Sequence, residues 1–330
     1  MNNILKLVIT LVLFFQSYCN FGQQDTIFWF AAPEISSTEG DNPVYLNLMS
    51  YADPVTVTVS QPANVGFTPI VVNLLANSSN TIDLTAFLSD VESAGADIVD
   101  DSGLKIESTG MVSATYELAT SGNKEIFALK GNKAIGTNFY TPFPNFWDNA
   151  VITPATFSSI EIIATEDNTT IAVTPRANIV GHVMNSTFTI VLQEGETYSA
   201  RDIDVNGSTS LAGSIVSSNK PISVTIFSGA VENSGCNSTL GDQIVSTPYL
   251  GTNFIINKTQ ATNERIYILG TENSTNISIE NSGTTNTLIN WGETYEYVLT
   301  DDINYIETSK PVYLIHVRGN TLCLFLRVVY

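Results

Sequence analysis

Apolar and polar positions alternate along this chain in short runs separated by polar turns. The clearest stretch is residues 160–175, I-E-I-I-A-T-E-D-N-T-T-I-A-V-T-P. Ile160, Ile162 and Ala164 fall on one side of an extended segment, Ile171 and Val173 on one side of the next, and Thr165-Glu166-Asp167-Asn168-Thr169 joins them. Period-two alternation around a short Asp/Asn insert predicts a β-hairpin. A near copy lies at 266–280, I-Y-I-L-G-T-E-N-S-T-N-I-S-I-E, and a looser one at 44–60, V-Y-L-N-L-M-S-Y-A-D-P-V-T-V-T-V-S. The recurrence predicts a repeated unit.

Each copy opens with a related strand: Asp25-Thr26-Ile27-Phe28, Gly136-Thr137-Asn138-Phe139 and Gly251-Thr252-Asn253-Phe254. After the hairpin come a third strand, a polar turn and a fourth strand. Those turns read Asn80-Thr81-Ile82, Gly195-Glu196-Thr197-Tyr198 and Gly292-Glu293-Thr294-Tyr295. A strand pair closes each unit, 104–110 then 112–117, 215–221 then 222–227, and 305–311 then 312–317, with Leu104, Ile215 and Tyr305 aligned. Pro221 and Pro311 read as first positions of strands, where a missing N–H costs little. Ile162, Ile171, Val173, Ile222 and Val224 are expected inside.

The fold class is therefore all-β, with three tandem repeats of about 110 residues, each β-sandwich-like. The alternative is propeller-like closure with shared sheets. The expected divisions are 25–130, 131–245 and a shorter 246–319, followed by an atypical tail at 320–330. Residues 145–157 read as a decorated loop of the second unit. Helical periodicity is nowhere sustained; the best candidate, 84–94, is short.

Composition narrows the function. Hydrophobic residues make up 43% of the 330 and charged residues 14%, which excludes a disordered chain. The formal net charge is −19, and 13 Lys and Arg are scattered without a cluster. Nucleic acid is excluded as a partner, since phosphate binding needs a basic surface, and docking on anionic lipid is disfavoured. The acidity serves solubility by self-repulsion, or attracts divalent cations. Residues 1–23 read as a secretory signal peptide: Lys6, then an apolar run from Leu7 to Phe15 too short to span a membrane. Cleavage is expected between Cys19 and Asp25, and bulky Tyr18 before Cys19 argues against a lipobox. No second apolar run is long enough for a membrane span, so an extracellular or cell-surface location is expected.

Candidate chemistry is sparse. Glu166, Asp167 and Asn168, then Glu272, Asn273 and Ser274, and then Glu39, Asp41 and Asn42 place oxygens at hairpin tips. They could ligate calcium or simply cap their own turns; no Asp-x-Asp-x-Asp-Gly loop is present. His182 and His316 have no companion at ligand spacing. His316 aligns with Ile226 and Tyr116 on an inward face, which predicts a core histidine. The chain has neither a Gly-x-Ser-x-Gly elbow nor a Walker phosphate loop. Carboxylates recur at the same turns in each copy, which points to a structural origin, although residue type alone permits a glycosidase pair. The aromatic groups Phe28, Trp29, Phe30 and Tyr140, Phe143, Phe146, Trp147 either plug the cores between units or form a recognition surface. Loss of the leader leaves Cys236 and Cys323, each shortly after a closing strand. They are a candidate disulfide if their Cα atoms approach within about 7 Å.

Taken together, I-x-A-T-E-D-N-T-x-I at 162–171, Gly-Glu-Thr-Tyr, Ser-x-Lys-Pro-Ile/Val before a strand, and Gly-Asp-Gln-Ile-Val at 241–245 resemble the N-terminal domain family of IgGFc-binding proteins, in its bacterial exported surface-protein form. The resemblance runs over nearly all of Asp25 to Gly319. It implies an extracellular binding or adhesion role without established catalysis; immunoglobulin binding belongs to the vertebrate member and is not carried over. Relatives show a Gly-Cys pair soon after the last strand, and the residues around Cys323 depart from it. The expectation is a secreted or surface module, not an enzyme, that needs no cofactor or metal and binds an extracellular protein or glycan. The alternatives are a carbohydrate-active enzyme with a carboxylate pair and a structural spacer of a larger surface protein.

Overall fold

A computed structural model describes residues 23–35, 42–120, 124–144, 148–233, 236–259, 264–281, 283–319 and 324–329. Among these the chain is all-β, built on three large antiparallel sheets of seven, eight and seven strands. At the centre of each runs one long strand: Leu104–Leu118, Ile215–Asn233 and Ile303–Gly319. The sequence reading divided each of these into two strands. In the structure each is continuous, but its two halves pair with different neighbours.

In the first sheet the leading half of Leu104–Leu118 pairs with Val55–Ser60 and with most of Asp25–Phe30. Its trailing half pairs with Val44–Ser50 and Glu125–Ala128. The second sheet repeats the plan with Thr169–Thr174 and Gly136–Tyr140, then Ser158–Ala164 and Cys236–Ile244. The third does so with Thr275–Glu280 and Gly251–Asn257, then Arg265–Gly270 and Leu324–Val329. The tail read as atypical thus supplies an edge strand.

Residues 109–111, 219–221 and 309–311 fall between the two ladders. Pro221 and Pro311 therefore sit at a bend inside a strand, not at its start. A residue without an N–H fits there because no ladder bond is lost. The bend folds each sheet over, so its halves face each other as two layers of a sandwich. In the first, Phe28, Val57, Val59 and Ile106 meet Leu46, Leu48, Tyr116 and Phe127 in one core.

The predicted hairpins are not hairpins. Ser158–Ala164 and Thr169–Thr174 do not pair with each other; each pairs with an opposite half of Ile215–Asn233. The turn between them carries the chain from one layer to the other. Ile160, Ile162, Ala164, Ile171 and Val173 still share one core, because facing across a sandwich satisfies the same alternation as lying side by side. Two smaller corrections concern the first unit. Asn80-Thr81-Ile82 lies inside the strand Ser79–Asp83, and the turn precedes it around Asn77, whose φ is +53°. The ladders also make Ile106, Val216 and Ile306 equivalent, opposite Phe28, Phe139 and Phe254, so the aligned Leu104 was one place out of register.

The large sheets are separate, and the propeller-like alternative does not hold. One short strand, Val99–Asp100, leaves the first unit to pair with Thr197–Arg201 at the edge of the second sheet. The expected short helix appears as two small turns, Thr85–Phe87 and Leu88–Val91. Ile162, Ile171, Val173, Ile222 and Val224 are all fully buried. Truncating Ile162 to Ala is expected to cost about 2–4 kcal/mol, read as a lower urea midpoint; an unchanged midpoint would mean that the core is not packed as described.

Candidate functional site

The carboxylate-bearing turns are hydrogen-bonded mainly to the neighbouring turns at 193–194 and 290–291. Asp167 Oδ1 accepts from Glu194 N at 3.1 Å, Asn168 N donates to Gln193 Oε1 at 3.1 Å, and Thr169 Oγ1 donates to Glu166 O at 2.6 Å. The third sheet repeats the set: Trp291 N to Asn273 Oδ1 at 3.2 Å, Ser274 N to Asn290 Oδ1 at 3.2 Å, and Thr275 Oγ1 to Glu272 O at 2.8 Å. Lys220 and Lys310 reach across to the Asp167 and Asn273 carbonyls. These are capped connections between layers. Among the described residues no group of three or more His, Cys, Asp or Glu could hold a metal ion. Glu39 and Asp41 lie outside the described residues.

The aromatic groups go mainly to the interior. Phe28 and Phe30 sit in the first core and Phe143 in the second, while Trp29 packs with Ala31 and Ile163 where the first two sheets meet. Half-buried Tyr140 meets Trp291 edge-on at 6.2 Å. Phe146 and Trp147 lie outside the described residues. His316 is buried as expected, with Nε2 3.1 Å from Glu264 Oε2. His182 stacks on Phe188 at 3.5 Å and lies 3.0 Å from Asp97, which also accepts from the Tyr198 hydroxyl at 2.7 Å. Cys323 lies outside the described residues, so the Cys236–Cys323 bond remains a proposal.

Two charged clusters that sequence reasoning missed lie where the first and second sheets meet. Gly-Asp-Gln-Ile-Val at 241–245 builds one. A Cβ on Gly241 would sit 2.3 Å from the Phe127 ring, so only glycine lets the strands approach. Asp242 Oδ2 pairs with Lys130 Nζ at 2.7 Å, both side chains almost wholly buried. Gln243 accepts from Lys130 N at 2.7 Å and donates to Trp29 O and Ser223 Oγ. The Gly-Asp-Gln-Ile-Val motif was the available signal for this network.

In the second cluster, Glu161 is fully buried on the outer side of Ser158–Ala164. One carboxyl oxygen accepts from Ser159 and Ser199 at 2.5 and 2.8 Å, and the other has no protein partner. Burial pushes its pKa up to about 7, against the pull of the Arg201 charge and the two hydroxyls and with a further push from Glu34. Arg201 pairs with Glu34 at 2.6 Å, donates to Ser93 O, and lies over the Phe157 ring at 4.2 Å. A raised carboxyl pKa is an acid–base signature, but this carboxyl is sealed between two sheets and gives a substrate no access.

An open concavity lies on the third sheet. A groove of about 460 Å³ crosses the outer face of Thr275–Glu280, Thr284–Ile289 and the leading half of Ile303–Gly319. Asn276, Ser278, Asn286, Thr287, Glu307 and Ser309 line it. Amides, hydroxyls and one carboxylate can exchange hydrogen bonds with a polar surface, and Thr284–Ile289 adds the unpaired backbone of an edge strand. Apart from Thr287, which lies opposite buried Ile277, these residues are the outward positions of alternating strands.

No curated protein matches this chain. Among solved structures, one titled "Biofilm associated protein - BSP domain" is 10% identical over 98% of this chain and 70% of that one, with a TM-score of 0.16, an overlap too loose to bear on fold or role. The family model described as IgGFc binding protein matches residues 125–321, a narrower stretch than the resemblance read over Asp25 to Gly319. That match spans more than half of the 330 residues, and the chain belongs to the IgGFc binding protein family.

Proposed function

We propose that this chain is an extracellular or surface-displayed binding module whose ligand is a protein, held without chemical conversion. Membership of a family described by its binding to IgG Fc carries the reading. The buried state of Glu161 and Asp242 supports it, because neither carboxylate is open to a substrate. The groove on the third sheet is the candidate contact surface, with hydrogen-bonding groups set around an exposed strand edge.

The test is a binding screen with the chain immobilised, using the Fc fragment of IgG, extracellular-matrix proteins and a glycan panel as probes. Saturable binding of a protein probe without turnover is expected. Glu307→Lys in the groove should weaken it about ten-fold while leaving the melting temperature in place. Binding confined to glycans would overturn the protein assignment, and hydrolysis abolished by one carboxylate change would replace the module with an enzyme.

A further inference from the structure

The two meetings between successive sheets use the same parts. The second sheet offers the turn that enters Thr197–Arg201, with Gly195 at φ +83°. It seats on the end of the first sheet: a Cβ on Gly103 would lie 2.3 Å from Gly195 O, and one on Gly195 would lie 2.9 Å from Ala63 N. Lys105 Nζ reaches Glu194 at 3.5 Å. The third sheet offers the corresponding turn, with Gly292 at φ +74°. It seats on the end of the second: a Cβ on Gly213 would lie 3.0 Å from the Gly292 Cα, and the Arg176 guanidinium lies 5.4 Å from the centre of the Trp291 ring.

The ladder registers extend this correspondence to the third sheet. Gly103, Gly213 and Ile303 hold one position, and Trp29, Tyr140 and Ile255 hold another. On the first two sheets these positions are covered by the next sheet, Gly103 by Gly195, Trp29 by Ile163, Gly213 by Gly292 and half-buried Tyr140 by Trp291; Gly103 and Gly213 are buried, and Trp29 is 4% exposed. On the third they are open, with Ile255 68% and Ile303 64% exposed. At the opposite end of the molecule, the turn at 75–78 matches those at Gly195 and Gly292. Among the described residues it covers nothing, and its Leu75 is 75% exposed.

We propose that a second copy of this chain docks head to tail, the 75–78 turn of one chain seating on Ile255, Ile303 and Tyr305 of the next. Each chain carries both halves of the contact, one at each end, and already makes the same kind of contact twice within itself. Ile303 replaces the glycine of the internal junctions. The intermolecular contact therefore rests on apolar side chains, Leu75 against Ile303 and Ile255, where the internal ones rest on close backbone approach. Such a contact is heterologous and continues into a ring or a filament.

Sedimentation velocity of the full chain over a concentration series tests this, with association beyond the dimer as the expected result. Leu75→Asp and Ile303→Asp should each weaken association about ten-fold or more, and both sites are exposed, so each variant keeps its fold. An equal mixture of the two variants should form dimers that grow no further, because the I303D chain keeps its turn and the L75D chain keeps its receiving end. A chain that stays monomeric at about 100 μM, association that survives both substitutions, or a mixture that fails to pair would each overturn the proposal. The monomeric result would assign the exposed face to some other occupant.

Discussion

Asp242→Asn is expected to destabilise the fold by about 3–5 kcal/mol. The Asp242 carboxylate lies 2.7 Å from Lys130 Nζ, with the two side chains 8% and 1% exposed. Burial pushes the lysine pKa down and the aspartate pKa up, and each charge opposes the effect on the other. Asparagine retains an acceptor where Oδ1 now receives Ala128 N and Gln243 N, so the substitution chiefly removes charge. What is left is a buried ammonium whose retained contacts include the Ala128 carbonyl at 2.9 Å. Urea unfolding of D242N, K130M and the double variant measures this. The double variant should lose clearly less than the two single losses added together. A D242N loss below about 1 kcal/mol would mean that water reaches the pair.

Stability is also expected to fall as pH rises from 5 to 8, and Glu161 is the named cause. Its pKa in the folded chain is raised to about 7, first of all by burial. A carboxyl raised in the fold stabilises in its protonated form. The contribution is complete below the unfolded value near 4.5 and is lost as pH climbs through 7. A displacement of that size corresponds to about 3 kcal/mol. Glu161→Gln keeps the shape and removes the titration, so its melting temperature should vary much less over this range. Parallel pH curves for parent and variant would show that Glu161 does not titrate there.

The strands were legible and their partners were not. Alternation places Ile162 and Ile171 inward whether their strands lie side by side or face each other across a core, and only the long central strand distinguishes the two. That strand was hidden by Lys220-Pro221 and Lys310-Pro311, which resemble the end of one strand and the start of the next. Within a bend between two ladders, a proline interrupts nothing. The outer face of Ser158–Ala164 misled in another way. Glu161 falls on the polar side of that strand's alternation, yet the first unit covers it, and contact between units leaves no periodic trace in either one. The Gly-Asp-Gln-Ile-Val motif was visible as a pattern, but its role depends on Phe127, Lys130 and Trp29, brought to it from the first unit.

The position of the central strand also governs how the chain can fold. Leu104–Leu118 comes after nearly everything it pairs with, and the same holds for Ile215–Asn233 and Ile303–Gly319. As a nascent chain lengthens, its early strands have only marginal two-stranded partnerships: Val44–Ser50 with Ser79–Asp83, and Val55–Ser60 with Ile70–Leu74. Neither layer can close before the late strand arrives, and when it does, one segment nucleates both. Contacts this distant in sequence belong to the slow class of folding reactions, in milliseconds to seconds rather than microseconds. Until then each unit is expected to hold at most these marginal pairs with open edges.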